Sequence, residues 1–521
     1  MNQDIAPRQL STSNSFINFL LKDARNRRFI RIAAAATIFE FILFKIFYPF
    51  PDFFSDSYSY IYAASANLDI SIWPIGYSKF LLAFHWFTHS DTALIGFQYF
   101  LLETASLYFF FTIAYLYNLA RVSQNILFGF LVFNPLFLYL SNYVNSDSLF
   151  ASLSILWLTQ LLWIIHRPRI YQLFTQSLLL FACFTVRNNA YFYPIVTILA
   201  FSLSIQSIGR KLSGMALGIV FILAFITYER DAAFRLTGTH QFSLFTGWQL
   251  ANNALYIYDK IKVDSTKLPT AATRELDQLS REFVKSIPPK FKYREYLQYY
   301  VGNYFIRQPD APLKNYLWSH YTISGDSNQV ESWGKASVVF ADYGGWILKH
   351  YPLEFARYFI IPNARNYFLP PLEKLEIYNL GLNDVPMIVE DWFDYKTPDV
   401  WSISKKIQRY ILFILPPLFL VLNLLFASSL VWLLLKRKRL QNSTEFNKTI
   451  WLNTAFLLLN FGFSVFATIN VFRYQFFPMI LCLTSSLLLI GVLDKRKSAV
   501  GHLPIQKKNR SFEKELITVE I

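Results

Sequence analysis

A helix that crosses the hydrocarbon of a bilayer needs about 20 mostly apolar residues. This chain supplies such runs about ten times, at 29–48, 93–119, 123–143, 146–165, 171–187, 190–208, 212–228, 407–435, 450–470 and 474–493. No other feature constrains the fold so tightly, because backbone amides in lipid must find partners within their own segment. The expectation is an all-α polytopic membrane protein. Composition agrees, with 54% hydrophobic and only 16% charged residues and a mean hydropathy of +0.29, outside the soluble range. The segment GYSKFLLAFHWF at 76–87 is too short to cross and should lie along the interface or re-enter. The run 407–435 should tilt or kink at Pro416–Pro417. Cys183 and Cys482 both sit inside apolar runs, so no disulfide framework is expected. The polar residues before the first run argue for an uncleaved first span over a signal peptide.

Sidedness follows from the basic residues. Lys22, Arg25, Arg27, Arg28 and Arg31 precede or open the first run and are expected in the cytoplasm. Alternating from there, the cytoplasmic loops receive Arg121, Arg167 with Arg169, Arg210 with Lys211, KRKR at 436–439 and DKRK at 494–497. The opposite loop 49–75 holds no Lys or Arg. The formal net charge of +15 is thus a topology signal, and no nucleic-acid motif accompanies it. The expected order is a cytoplasmic tail 1–28, a transmembrane domain 29–228 with a first outer loop 49–92, a mostly helical extracytoplasmic domain 229–406, transmembrane helices 407–493 and a cytoplasmic tail 494–521. The stretch 346–371 is basic, aromatic and amphipathic and should rest on the membrane surface. Sequons at Asn442 and Asn447 fall on the cytoplasmic side, and the outer domain has none.

This topology gathers the unusual polar residues on the outer face. Asp52 and Asp56 leave the first span, and Asn145 and Asp147 open the fourth. Arg187, Asn188 and Asn189 join the fifth to the sixth, and Arg473 and Tyr474 open the last. Ionisable groups at that depth are costly and are functional candidates. Each also has an ordinary reading: Asp56 and Asp147 as helix caps, the arginines as snorkelling to head groups, Tyr58, Tyr60 and Tyr62 as interfacial belt. His85, His89 and His240 lack metal-site spacing, so no cofactor is expected and a divalent cation is left open. Mid-span ionisable residues are few, chiefly Glu40 and Glu103, with no obvious partner.

In the first outer loop, DSYSY sets Asp56 and Tyr60 on the first and last positions of a D-E-x-x-Y pattern, with Ser57 for the glutamate. WPIGYS sets Pro74, Gly76 and Tyr77 on P-x-G-Y-P, with Ser78 for the last proline. The final span opens with Arg473 and Tyr474, followed by Pro478. On these motifs the chain resembles the GT-C superfamily of membrane glycosyltransferases, in the branch of protein mannosyltransferases and aminoarabinose transferases. The resemblance implies a GT-C-like fold and a polyprenyl-phosphate-linked sugar as donor, with a glycan, lipid or protein acceptor. It makes Asp56 the base or orienting carboxylate, with Asp52 in reserve, and sets Tyr60, Tyr77, Asp147, Arg187, Asn188, Arg473 and Tyr474 around the substrates. A carboxylate suits activation of an acceptor hydroxyl, and arginine suits a departing phosphate. The expected location is a bacterial inner membrane with the site facing the periplasm, and the partners are membrane lipids rather than nucleic acid. Two other readings stay open: an O-antigen ligase or polymerase, and a lipid or glycan flippase or transporter without catalysis.

Overall fold

The computed structural model describes residues 15–117, 119–287, 302–321, 329–436 and 444–500. The tail residues 1–14 and 501–521, the basic residues 437–439 and the sequon at Asn442 lie outside the described residues. Among those described there are helices and no β-strand. Seven helices are long and apolar enough to cross a membrane: Asp91–Leu116, Arg121–Asn142, Ser146–His166, Ile208–Thr237, Ile407–Leu435, Glu445–Ala467 and Phe472–Gly491. They mark an all-α integral membrane protein. Large apolar side chains on their outer faces stay exposed, among them Val220, Leu223, Val421, Leu424 and Leu458, as lipid contact requires.

The remaining apolar runs are also helical, but in shorter or more charged pieces. Run 29–48 lies in Ala24–Phe47, and run 171–187 forms Tyr171–Val186. Run 190–208 is α-helical only over Tyr193–Leu203. Pro194 sets that start after a 3-10 turn at Asn188–Phe192, and Ser204 ends it by bonding back to the Phe201 carbonyl. Run 123–143 breaks at Pro135, where Asn134 Oδ1 takes the Leu136 N–H at 3.1 Å. The break expected at Pro416–Pro417 falls just before them, between Leu412 and Leu415, so the prolines occupy a first turn where no N–H is missed. GYSKFLLAFH is a ten-residue helix, Gly76–His85.

Five side-chain hydrogen bonds tie one end of the bundle together. Arg25 Nη2 donates to the Arg121 carbonyl and to Asn125, and Arg167 Nη1 donates to Tyr115 at 2.5 Å. Tyr117 bridges His166 and Thr449. The core between the ends stacks Trp157 on Tyr193 at 4.2 Å, with Phe456 against the pair. Glu40 does have a partner, accepting from Tyr99 at 3.1 Å, whereas neither buried oxygen of Glu103 has a hydrogen bond among the described residues.

The polar part of the chain between the two sets of spans packs as two groups. One centres on Trp248, stacked on Trp333 at 4.0 Å. It joins helix Thr246–Leu255 to helix Gln329–His350, so closely that any Cβ at Gly247 would strike the Ser337 carbonyl. The other runs from 372 to 403 and wraps the segment after the first apolar run, with Val389, Trp392 and Phe393 packing on Phe53, Tyr60 and Tyr77. The expected surface stretch 346–371 ends in helix Ile361–Phe368, whose Asn363 donates to the carbonyls of Val465 and Thr468. That contact pins the polar part to the end of a membrane helix.

Candidate functional site

The segment after the first apolar run is built to hold a carboxylate at a cavity wall. Helix Ser55–Ser65 begins as Phe54 turns extended, and the Ser57 hydroxyl accepts the Phe54 N–H at 3.2 Å. That bond is made by Ser57 and not by Asp56, so the capping reading of Asp56 does not hold. The Asp56 side chain instead accepts from Lys374 Nζ at 3.2 Å and lies 3.8 Å from Arg473 Nη2. Asp147 is likewise no cap. Its carboxylate accepts from Arg187 Nη1 on one oxygen and from Arg473 Nη1, at 3.1 Å, on the other. The two arginines are therefore buried and bridged by one acid, rather than snorkelling to head groups.

Two further charges close the cluster. Glu373 accepts from Arg307 at 3.0 Å, and its other oxygen lies 3.7 Å from Arg473 Nε, too far for a hydrogen bond. Both atoms of that longer contact are buried without a hydrogen-bond partner. Glu373 has φ of 55°, a left-handed conformation that costs about 1 kcal/mol in a residue with a Cβ. Rings back the cations: Lys374 Nζ sits 3.8 Å above the buried Phe54, and the Arg187 and Arg473 guanidinium groups flank Tyr474 at 5.0 and 4.8 Å.

These groups border a cavity of about 950 Å³, the upper end of the range for small-molecule sites. Its walls include Asp56, Tyr60, Arg187, Asn188, Arg473 and Tyr474 among the expected residues, and Arg307, Glu373 and Lys374 among those not expected. Tyr60 donates or accepts with Ser146 at 3.0 Å, and Asn188 accepts from Tyr191 at 2.7 Å. The ionised groups are unequal: four cations (Arg187, Arg307, Lys374, Arg473) face three carboxylates (Asp56, Asp147, Glu373).

Burial drives the Asp56 carboxyl upward, but Lys374, Arg473 and Arg187 outweigh it and hold it below the ordinary carboxylate range. Lys374 is pulled down, because its own burial and the nearby Arg473 exceed the attraction of Asp56 and Glu373. The pair thus consists of an acid ionised at any physiological pH and a lysine whose proton is more loosely held.

Three expected residues are not on that wall: Asp147, which reaches it only through the two arginines it bridges, and Asp52 and Tyr77. Asp52 is fully buried behind the cavity, not on its wall. Its backbone bridges Asn142 and Val144, and its Oδ1 accepts the Asn379 N–H at 2.8 Å. Burial pushes its carboxyl up to about 8. Tyr77 is also interior, donating to Gln98 at 2.8 Å, and its ring meets Tyr60 edge-on at 4.9 Å. The P-x-G-Y pattern thereby gains a packing reason: a Cβ on Gly76 would meet the Thr185 carbonyl oxygen at 2.6 Å. Lys374 and Glu373 were missed because a charged pair after Pro370–Pro371 reads as solvated loop. The available signal was that the charges interrupt an apolar, aromatic stretch, LPPLEKLEIY.

No family model matches the chain, and no curated protein or solved structure matches it.

Proposed function

We propose that the protein is a membrane glycosyltransferase that moves a sugar from a polyprenyl-phosphate donor to an acceptor at the extracytoplasmic face. One observation carries this reading. Asp56 shares a cavity wall with Lys374, Arg473 and Arg187, at the bundle end opposite the Arg25–Arg121–Arg167 ties. The surplus of one positive charge suits the single negative charge of a phosphodiester-linked sugar. In the reaction the acceptor oxygen bonds to the sugar C1 and the bond from C1 to the phosphate oxygen breaks. The acceptor proton passes to Asp56, and the second charge that develops on the phosphate is met by Lys374 and Arg473. A phosphate that draws hydrogen bonds from those two cations also draws them away from Asp56. The carboxylate then becomes a better base when the donor is bound than its present pairing allows.

The same reading takes the chain across a bacterial inner membrane about ten times, with the arginine-rich helix ends in the cytoplasm. Thr266 and Ser207 are both exposed, one in the polar part and one near the other bundle end, and native Cys183 and Cys482 are buried. In intact cells an impermeant thiol reagent should mark Thr266→Cys and leave Ser207→Cys unmarked. The reverse pattern would remove the site from the outer face. The activity itself is tested by purified protein in detergent, which should release labelled sugar from a polyprenyl-phosphate donor in the presence of acceptor-containing membranes. No release from any of a panel of such donors sinks the proposal.

A further inference from the structure

The cavity has a second end, away from Asp56, where the wall changes from paired charges to amides, indole rings and one lysine. Helix Tyr304–Arg307 links the two ends, since Arg307 faces Glu373 and Asn303, just before the helix, belongs to the amide group. One helical turn separates them, about 6 Å along the axis. Three donors converge on Asn303 Oδ1: Gln249 Nε2 at 3.0 Å, Asn252 Nδ2 at 3.3 Å and Thr468 Oγ1 at 3.1 Å. That fixes the amide and leaves its N–H groups as the remaining hydrogen-bonding capacity. Trp333, 6% exposed and on the same wall, has an indole N–H with no partner among the described residues. Its neighbour Trp248 spends the equivalent N–H on the Trp333 carbonyl at 3.0 Å.

Lys314 completes this end. Its ammonium lies 4.2 Å above the Trp333 ring and 5.6 Å from that of Trp248. Among the described residues no carboxylate lies within ion-pair distance of it. Contact with a ring offsets only part of the cost of desolvating an ammonium group. Its burial accordingly pulls the lysine down to about 8. A ligand's negative group at this position would supply the missing counter-charge, while the Asn303 and Trp333 N–H groups would donate to its hydroxyl oxygens.

We propose that this end of the cavity binds the acceptor, and that the acceptor is a sugar bearing a carboxylate or phosphate whose charge meets Lys314. Calling the ligand the acceptor rests on the glycosyl-transfer reading; the acidic-sugar site stands on Lys314, Asn303 and Trp333 themselves.

Calorimetric or saturation-transfer titration of the purified full-length protein with glucose, glucuronic acid and glucose 6-phosphate tests it. Undecaprenyl phosphate is present at saturation, to occupy the Arg473 end. The acidic sugars should bind at least about tenfold more tightly than glucose, the factor expected of one well-formed charge contact. Lys314→Met should erase that preference and Lys314→Arg should keep most of it. Should Lys314→Met fold poorly, Trp333→Phe, which removes the indole N–H and leaves a six-membered ring to stack on Trp248, should weaken all three sugars alike by a few-fold. Equal binding of glucose and the acids, no sugar binding at all, or an intact preference in Lys314→Met would each overturn the proposal. Failure of undecaprenyl phosphate to bind would instead count against the donor reading, and the Lys314 comparison would still decide this one.

Discussion

Asp56 and Asp277 are both acids held out of bulk water beside a cation, in two different regions of the molecule. Asp277, in helix Ala271–Ser286, is completely buried and spent on its neighbours. Its oxygens accept from Tyr258 at 2.6 Å, Tyr343 at 3.2 Å, Ser265 at 2.5 Å and Arg281 at 2.8 Å. Asp56 opens onto the cavity, and the charges around it are incompletely matched, with Arg473 Nε and one Glu373 oxygen lacking hydrogen bonds. A buried acid with every lone pair answered ties elements together. One set among surplus cations, at a wall with room beside it, can exchange partners. Local satisfaction, more than burial or charge, separates a structural acid from a chemical one.

Four substitutions can break or sharpen that contrast. The largest effect is expected at Asp56, where Asn keeps the shape and loses the charge. Turnover should fall by roughly 10²–10⁴-fold, the usual share of a general base. The folded yield should hold, because Ser57 makes the helix-start bond. Turnover near wild type in Asp56→Asn would remove the acid from the chemistry. Arg473 comes next: Arg473→Ala should cost about 10²-fold in turnover with weaker donor use. Lys should restore part of this, since it supplies charge without the guanidinium fork. Full donor affinity in Arg473→Ala would refute the phosphate role.

Asp277→Ala should act on stability instead. It leaves two buried tyrosine hydroxyls and Arg281 without their acceptor, a loss of about 2–3 kcal/mol in detergent unfolding. Activity per folded molecule should be unchanged, and a selective loss of turnover would erase the contrast. Asp52→Asn should alter turnover least. Its carboxyl is raised to about 8 in the fold against about 4 in the unfolded chain. Its neutral form therefore favours folding, and that contribution is lost as pH rises from about 4 through 8. Thermal midpoints of wild type should fall over this window relative to Asp52→Asn, which has no such proton to lose. Parallel midpoints from pH 5 to 9 would show that Asp52 is not held protonated.

Much of the site was legible because its residues break a strong background. Asp56, Asp147, Arg187 and Arg473 stand out where apolar helices end, and any ionisable group there requires a reason. Asp52 met the same criterion yet lies behind the wall, since a four-residue step on a turning backbone reverses which way a side chain faces. Lys374, Glu373 and Arg307 could not be chosen from sequence spacing. The nearest expected members, Arg187 and Arg473, lie 120 residues before Arg307 and 99 after Lys374, and the stretch between is polar, where charges are ordinary.

Apolar run length determined that the chain is helical and membrane-embedded, and seven of the runs form helices long enough to cross, because hydrocarbon leaves the backbone no other solution. Of the basic clusters along the sequence, Arg25 and Arg121 mark helix ends that meet in the fold. Only the tertiary structure decided that segment 372–403 folds back over the segment after the first apolar run and carries Lys374 to Asp56 across 318 residues. It alone decided that Asp147 bridges two arginines and that Lys314 faces rings without an acid. Helix formation is governed by neighbours along the chain, whereas the pairing of charges depends on which surfaces remain to be buried once the helices have packed.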